Sequence, residues 1–194
     1  MRKPVISVIG DSRMRKGSRK WKLATSLGQR LVDRNYRIIT GGLGDLPRAI
    51  AEGASRSKQY HNGDLIAILP GFDPKEAGEY IDIVIASGLD QARNMIVANS
   101  DAVVAIGGGA GTLSEIAFAW SLKRLVLAYR VEGWSGRLAG TRIDSRRRYR
   151  GLPDDQVYPV DTEEDVIHLL SDLLPLYNQR HNRIAVRRHN SKME

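Results

Sequence analysis

The sequence predicts an α/β three-layer sandwich with a mostly parallel central sheet flanked by helices. Three observations predict it. Short β-branched apolar runs alternate along the chain with segments whose apolar residues recur at helical spacing. Runs such as Ala102-Val103-Val104-Ala105-Ile106 lack in-out alternation, the pattern of strands covered on both faces. Glycine-rich or polar turns follow several of these runs, as in Rossmann-like folds.

In order along the chain, Val5-Ile6-Ser7-Val8-Ile9 reads as a buried strand closed by Gly10. A basic, polar segment from Asp11 to Lys20 leads into a helix on which Leu23, Leu27 and Leu31 recur at i+4 until Asn35. Residues 37–40 form a second strand and Gly41-Gly42-Leu43-Gly44-Asp45 a turn. Asp45 ahead of Leu46 and Pro47 starts the next helix, since an aspartate caps free N–H groups and the first turn tolerates proline. Ile50, Ala51 and Ala54 supply its apolar face. Further strands are expected at residues 64–69, 81–86, 102–106 and 125–129, with helices at 92–100 and 112–122. An arginine-rich, turn-rich stretch over 130–156 is longer than ordinary connections and reads as a lid, an interface or a disordered loop. Val157 to Val160 is a last strand, and Thr162 with Asp165 a capping box for a helix carrying Val166, Ile167, Leu169, Leu170, Leu173 and Leu174.

The 194 residues suit one ordinary domain, read as a nucleotide-binding domain over 1–177 followed by a basic tail over 178–194. That tail, with Arg180, Arg183, Arg187, Arg188 and Lys192, has no apolar period and is expected to be mobile. A content of 42% hydrophobic and 27% charged residues argues against wholesale disorder. No apolar stretch is long enough to span a bilayer and the N-terminus lacks a signal peptide's apolar core, so a cytoplasmic protein without membrane partners is expected. The absence of cysteine excludes disulfides, thiolate metal sites and cysteine nucleophiles, and the four histidines show no ligand-like spacing. A formal charge of +8 favours anionic partners.

The strongest chemical signal is Gly107-Gly108-Gly109-Ala110-Gly111-Thr112-Leu113-Ser114-Glu115, between a buried strand and a helical pattern. Glycines let the backbone approach an anion, and the free N–H groups of a helix's first turn favour it. Gly108, Gly109, Ala110, Gly111 and Thr112 are therefore assigned to phosphate, Thr112 adding a hydroxyl donor. A Walker site is excluded by the missing Gly-Lys-Ser/Thr, and the turn's late position and the lack of an evident ribose-binding acid argue against a dinucleotide fingerprint. Glu115, three residues beyond Thr112, shares its face and is placed to meet ribose hydroxyls or the adjacent sugar carbon. Arg93, in Gly88-Leu89-Asp90-Gln91-Ala92-Arg93-Asn94, could fork onto a phosphate or carboxylate. Gly10-Asp11-Ser12 and Gly41-Gly42-Leu43 occupy equivalent strand ends, so four turns converge on one edge of the sheet.

These pieces together resemble the LOG-like, or lysine decarboxylase-like, Rossmann family, which includes nucleoside monophosphate phosphoribohydrolases and molybdenum cofactor carrier proteins. The resemblance covers most of residues 4–175. The family's PGGxGTxxE motif is matched by Gly107 to Glu115, with Gly107 in place of proline, and its arginine motif by Arg93-Asn94, without the hydrolases' flanking histidine and lysine. The GGxxGLMG turn is represented by Gly41 to Arg48, where Asp45 and Pro47 depart from the pattern and Asp45 would repel a neighbouring phosphate. Ala92-Arg93-Asn94, Ser100-Asp101-Ala102 and Gly133-Trp134-Ser135 look closer to the carrier-like branch.

The resemblance implies a small phosphorylated ligand, with Glu115 and Arg93 as the catalytic pair of a phosphoribohydrolase that needs no metal or other cofactor. Glu115 would stabilise an oxocarbenium-like transition state or orient water, and Arg93 would position phosphate or ribose. Asn94, Gly10, Asp11, Ser12, Gly41, Gly42 and Leu43 would complete the ligand site. The alternative is a carrier that holds AMP, another nucleotide or the pterin-type molybdenum cofactor without turnover. The family also implies a homodimer or homotetramer with the glycine-motif helix near its interface, with which Phe118 and Trp120 are compatible; Trp120 and Trp134 read as packing or interface residues. A third reading, nucleic-acid binding through Arg142, Arg146, Arg147, Arg148 and Arg150 together with the C-terminal arginines, competes with the ordinary solvation of charged runs.

Overall fold

β1 (Val5–Gly10) lies mid-sheet because its residues are apolar or small enough to be covered from both sides, and four of the six are buried. In the computed structural model, which describes residues 2–179, it is joined by β2 (Arg37–Thr40), β3 (Leu65–Leu69), β4 (Ile83–Ala86), β5 (Ala102–Ile106), β6 (Leu125–Tyr129) and β7 (Val157–Val160). The order is β4-β3-β2-β1-β5-β6-β7 and all pairings in this sheet are parallel, so the expected mostly parallel sheet is wholly parallel among the described residues. β5 and β6 are buried throughout, as their unbroken apolar runs require.

Among the described residues, six α-helices cover the sheet. α1 (Arg19–Asp33), α2 (Asp45–Ala54) and α6 (Glu163–Leu173) lie on one face, where Leu27, Leu31, Ile50, Val166 and Leu170 meet Ile6, Val8 and Val104. α3 (Asn94–Ala98), α4 (Ala110–Ser121) and α5 (Trp134–Leu138) lie on the other, where Val97, Ile116 and Trp120 pack on Ile9, Val103 and Val126, with Leu138 against them. α1 starts where Ser18 accepts the Trp21 N–H at 3.3 Å, and the expected capping box of α6 is formed reciprocally by Thr162 and Asp165.

Several expectations need correction. Asp45 does not cap α2: the N-cap is Gly44, and the Asp45 carboxylate instead accepts the Met14 N–H at 2.7 Å, which binds the loop after β1 to α2. The helix expected over 92–100 is a 3-10 turn (Asp90–Arg93) followed by the short α3, because Gly88 and Asp90 turn the chain with positive φ just before it. The strands expected at 64–69 and 81–86 start later. The Asp64 carboxylate is taken by Lys3 and the His61 N–H, and that of Asp82 by the Leu65 N–H and Tyr60. Of the two roles open to Trp120, packing and interface, the structure gives it packing: it is 1% exposed, in the core. The tail residues Arg180, Arg183, Arg187, Arg188 and Lys192 lie outside the described residues.

The stretch over 130–156 carries α5 and is tied down by a buried cluster rather than left as a free loop. Arg148 forks onto Asp155 at 2.5 and 2.8 Å, donates to the Trp120 and Arg124 carbonyls, and stacks 3.6 Å from the Trp120 ring centroid. Tyr177 donates to the same Asp155 carboxylate. Of the basic run, Arg148 is thus sealed inside, and Arg146 is paired with Asp144. Arg148→Ala leaves Asp155 buried without its cation and should cost about 3–5 kcal/mol in urea unfolding. Arg148→Lys, lacking the planar fork, should recover less than half of that loss.

Candidate functional site

In an open parallel sheet the crevice for a ligand lies beyond the carboxyl ends of the strands, where the strand order reverses. Here that point falls between β1 and β5, and a cleft of about 550 Å³ opens there. That volume suits a nucleotide-sized ligand. Gly10, Asp11 and Ser12 after β1, Gly41 and Leu43 after β2, Arg93 and Asn94 before and in α3, and Gly109, Gly111, Thr112 and Glu115 at α4 all line it. Gly42 sits behind the lining, under the Ala67 and Leu69 side chains. Sequence reasoning missed Arg13, Thr40 and Gln91, which also face the cleft. Their signal was only proximity to the assigned turns.

The first turn of α4 has no side-chain cap; its N-cap is Gly109. A helix leaves its first N–H groups without intrahelical partners, and a Cβ built on Gly109 or Gly111 would meet nothing within 4 Å. Open space thus stands where a cap would sit, and the helix dipole favours an anion in it. Two of the expected phosphate donors are spent inside the protein. The Gly108 N–H goes to Asp11 at 2.9 Å, and the Thr112 hydroxyl donates to the Gly10 carbonyl at 3.2 Å, stitching α4 to the end of β1. Asp45, expected to repel a phosphate, is turned away toward Met14 and does not line the cleft.

The turn's geometry is set from α5. Ser135, 0% exposed, accepts the Gly107 N–H at 2.7 Å and donates to the Tyr129 carbonyl at 2.8 Å. The Ser135 and Trp134 N–H groups return to the Gly107 and Gly108 carbonyls, both at 2.9 Å. Gly107 and Gly108 have φ of 68° and 94°, a region that proline cannot adopt, so the departure from PGGxGTxxE at Gly107 is a backbone requirement. The Gly133-Trp134-Ser135 stretch carried a sequence signal, but only the fold shows what Ser135 holds.

Arg93 and Glu115 meet across the cleft with their nearest N···O at 3.8 Å, beyond hydrogen-bond reach. Burial pushes the Glu115 carboxyl up to about 7, against the smaller opposing pull of Arg93, and the same burial lowers the Arg93 pKa. Both directions mean that desolvation outweighs their attraction, as the loose contact implies. Nε and Nη1 of Arg93 are buried without a hydrogen-bond partner, and a Cβ on Gly41 would overlap that guanidinium. Buried donors without an acceptor are costly, and these belong to a side chain that lines the cleft. Asn94, by contrast, is held at 2.9 Å by Ser114 and contacts Gln91.

A family model described as LDcluster4, the SLOG cluster4 family, matches residues 3–157. A protein of Archaeoglobus fulgidus described as uncharacterized is 39% identical over 100 residues, which are 51% of this chain and 63% of that relative. The match therefore spans less than two thirds of the curated relative. Among solved structures, the molybdenum cofactor binding protein of the phototrophic bacterium Rippkaea orientalis is 30% identical with a TM-score of 0.71, covering 90% of this chain and 99% of that one. The molybdenum cofactor carrier protein of Chlamydomonas reinhardtii is 26% identical with a TM-score of 0.69, covering 89% and 99%.

The Glu115 carboxyl binds its proton more tightly in the fold than at its ordinary value of 4.5, so its contribution favours folding at acid pH and is lost as pH rises from 4.5 to about 7. The stability difference between Glu115→Gln and the wild type should therefore shift toward the variant by about 3 kcal/mol between pH 4 and 8. Urea unfolding at each pH reads this, and a difference independent of pH would contradict the raised value.

Proposed function

The chain belongs to the SLOG cluster4 family, and on that footing we propose that it binds the pterin-type molybdenum cofactor as cargo, through its phosphate, without consuming it. The observation that carries the reading is the uncapped first turn of α4, which opens on the same cleft as the unpartnered donors of Arg93. Likeness to two molybdenum cofactor proteins over nearly their full lengths supports this cargo. The residues fit it: α4 and Arg93 suit a phosphomonoester, and Thr40, Gln91 and Asn94 offer polar partners to a pterin ring.

One observation favours a second reading, a nucleoside 5′-monophosphate phosphoribohydrolase. A carboxyl that titrates near 7 beside an arginine is suited to proton transfer at neutral pH. Water would attack the anomeric carbon as the carbon–nitrogen bond breaks. The base leaves with a proton and ribose 5-phosphate remains, with Glu115 orienting the water and Arg93 holding phosphate or ribose. Mass spectrometry of ligand released from purified, denatured protein, together with incubation against nucleoside monophosphates, separates the two. A retained pterin phosphate without base release supports the carrier, whereas released base and ribose 5-phosphate would establish the hydrolase. Neither retained ligand nor turnover, with no binding to the panel, would remove both.

Gly109→Asp places a favoured cap residue in the open space at α4. It should keep or raise stability by a few tenths of a kcal/mol, about what aspartate gains over glycine at an N-cap. Anion binding should fall about tenfold or more, because the new carboxylate takes the same N–H groups. Thermal melts and calorimetric titration with AMP read the two effects separately.

We also propose that the chain is a homodimer. Met95, Ile96 and Phe118 are exposed on α3 and α4, which pack against each other on one face of the sheet. Ile96→Asp with Phe118→Asp should halve the mass measured by light scattering, and an unchanged mass would remove this surface from the interface.

A further inference from the structure

Two N–H groups of the glycine turn are withdrawn from any ligand. That of Gly107 is held by Ser135 and that of Gly108 by Asp11 Oδ1, while the other carboxylate oxygen of Asp11 accepts Lys20 Nζ at 2.5 Å. Gly107 leaves room for this meeting, since a Cβ there would overlap both the Asp11 carboxylate and the Lys20 ammonium. Asp11 also lines the cleft, with its side chain 23% exposed. A negative charge thus stands at the rim that carries the uncapped start of α4. Loops that cradle polyphosphates offer a run of backbone N–H groups to successive phosphoryl groups. Here the two donors nearest β5 are already spent, and the donors left over belong to the first turn of α4.

We infer that Asp11, held in place by Lys20, is a specificity-determining residue that limits the site to one phosphate group. This rests on the phosphate-binding reading given above. A phosphate on α4 neutralises its charge against the helix start. A second phosphoryl group bonded to it, seeking the next donor in the turn, meets the Asp11 carboxylate in place of the Gly108 N–H. Lys20 fixes that carboxylate and offsets part of its charge, which keeps a single phosphate tolerable beside it. Asp11 and Gly107 act together: the glycine's positive φ and missing side chain admit the pair that sets the charge limit.

Calorimetric titration of AMP and ADP into the full chain tests this, with Gly109→Asp protein giving the background of binding elsewhere on the basic surface. Wild-type protein is expected to bind AMP about tenfold or more tighter than ADP, because like charges in contact are strongly disfavoured. Asp11→Asn keeps an oxygen for the Gly108 N–H and removes the charge. It should bring the two affinities within about threefold, mainly by tightening ADP. Lys20→Met leaves the carboxylate uncompensated and should widen the gap. An unchanged AMP-to-ADP ratio in Asp11→Asn, or an equal loss of both nucleotides, would overturn the role given to Asp11. If wild-type protein binds neither nucleotide above the Gly109→Asp background, the role given to Asp11 fails, and the phosphate reading fails with it where purified protein also retains no phosphorylated ligand.

Discussion

The pairing of β1 with β5 is the constraint on which everything else rests. The sheet is wound outward from these two strands in opposite directions, and the connections that leave them run to opposite faces of the sheet. Neither connection can cover the ends of these two strands, so a crevice is an outcome of topology and not of any particular side chain. The loops that reach it come from β1, β2, the segment before α3 and the start of α4, which fixes the cast of residues before any chemistry is considered.

Within that crevice, the protein spends some of its polar donors on itself and leaves others open. Ser135, Asp11 and the Gly10 carbonyl take up groups that would otherwise be free, and in doing so lock the glycine turn to α5, to the loop after β1 and to the end of the first strand. What remains open is the start of α4 and the guanidinium of Arg93. The division makes the site rigid where it meets the sheet and unsatisfied where it meets solvent. Such a frame holds its geometry before a ligand arrives, which lowers the ordering cost of binding.

Much of this was legible in the sequence, for identifiable reasons. β2, β5, β6 and β7 coincide with their expected ranges because unbroken apolar runs bounded by turns leave little choice of register. Glu115, Arg93 and the turns after β1 and β2 were placed on one cleft because strand ends in such sheets share an edge. What was not legible was pairing at a distance. Asp45 reads as a cap yet serves Met14, Thr112 reads as a phosphate donor yet serves Gly10, and Trp120, open to packing or to an interface, stacks beneath Arg148. Each of these side chains has more than one chemically reasonable partner, and only the tertiary packing chooses among them. The short α3 escaped for a local reason, the positive φ at Gly88 and Asp90.

The Arg148 cluster separates two boundaries that are easily taken for one. The family match stops at residue 157, the first residue of β7. The interior does not stop there: Val160 closes the last strand, Val166 and Leu170 of α6 fill the layer against α1, and the Tyr177 hydroxyl reaches back to Asp155. A fragment cut where the family match ends would keep the whole cleft, yet lose a strand, a helix and the hydroxyl that completes the salt-bridge cluster. The stretch that the family model matches is shorter than the packed interior, which among the described residues reaches Tyr177.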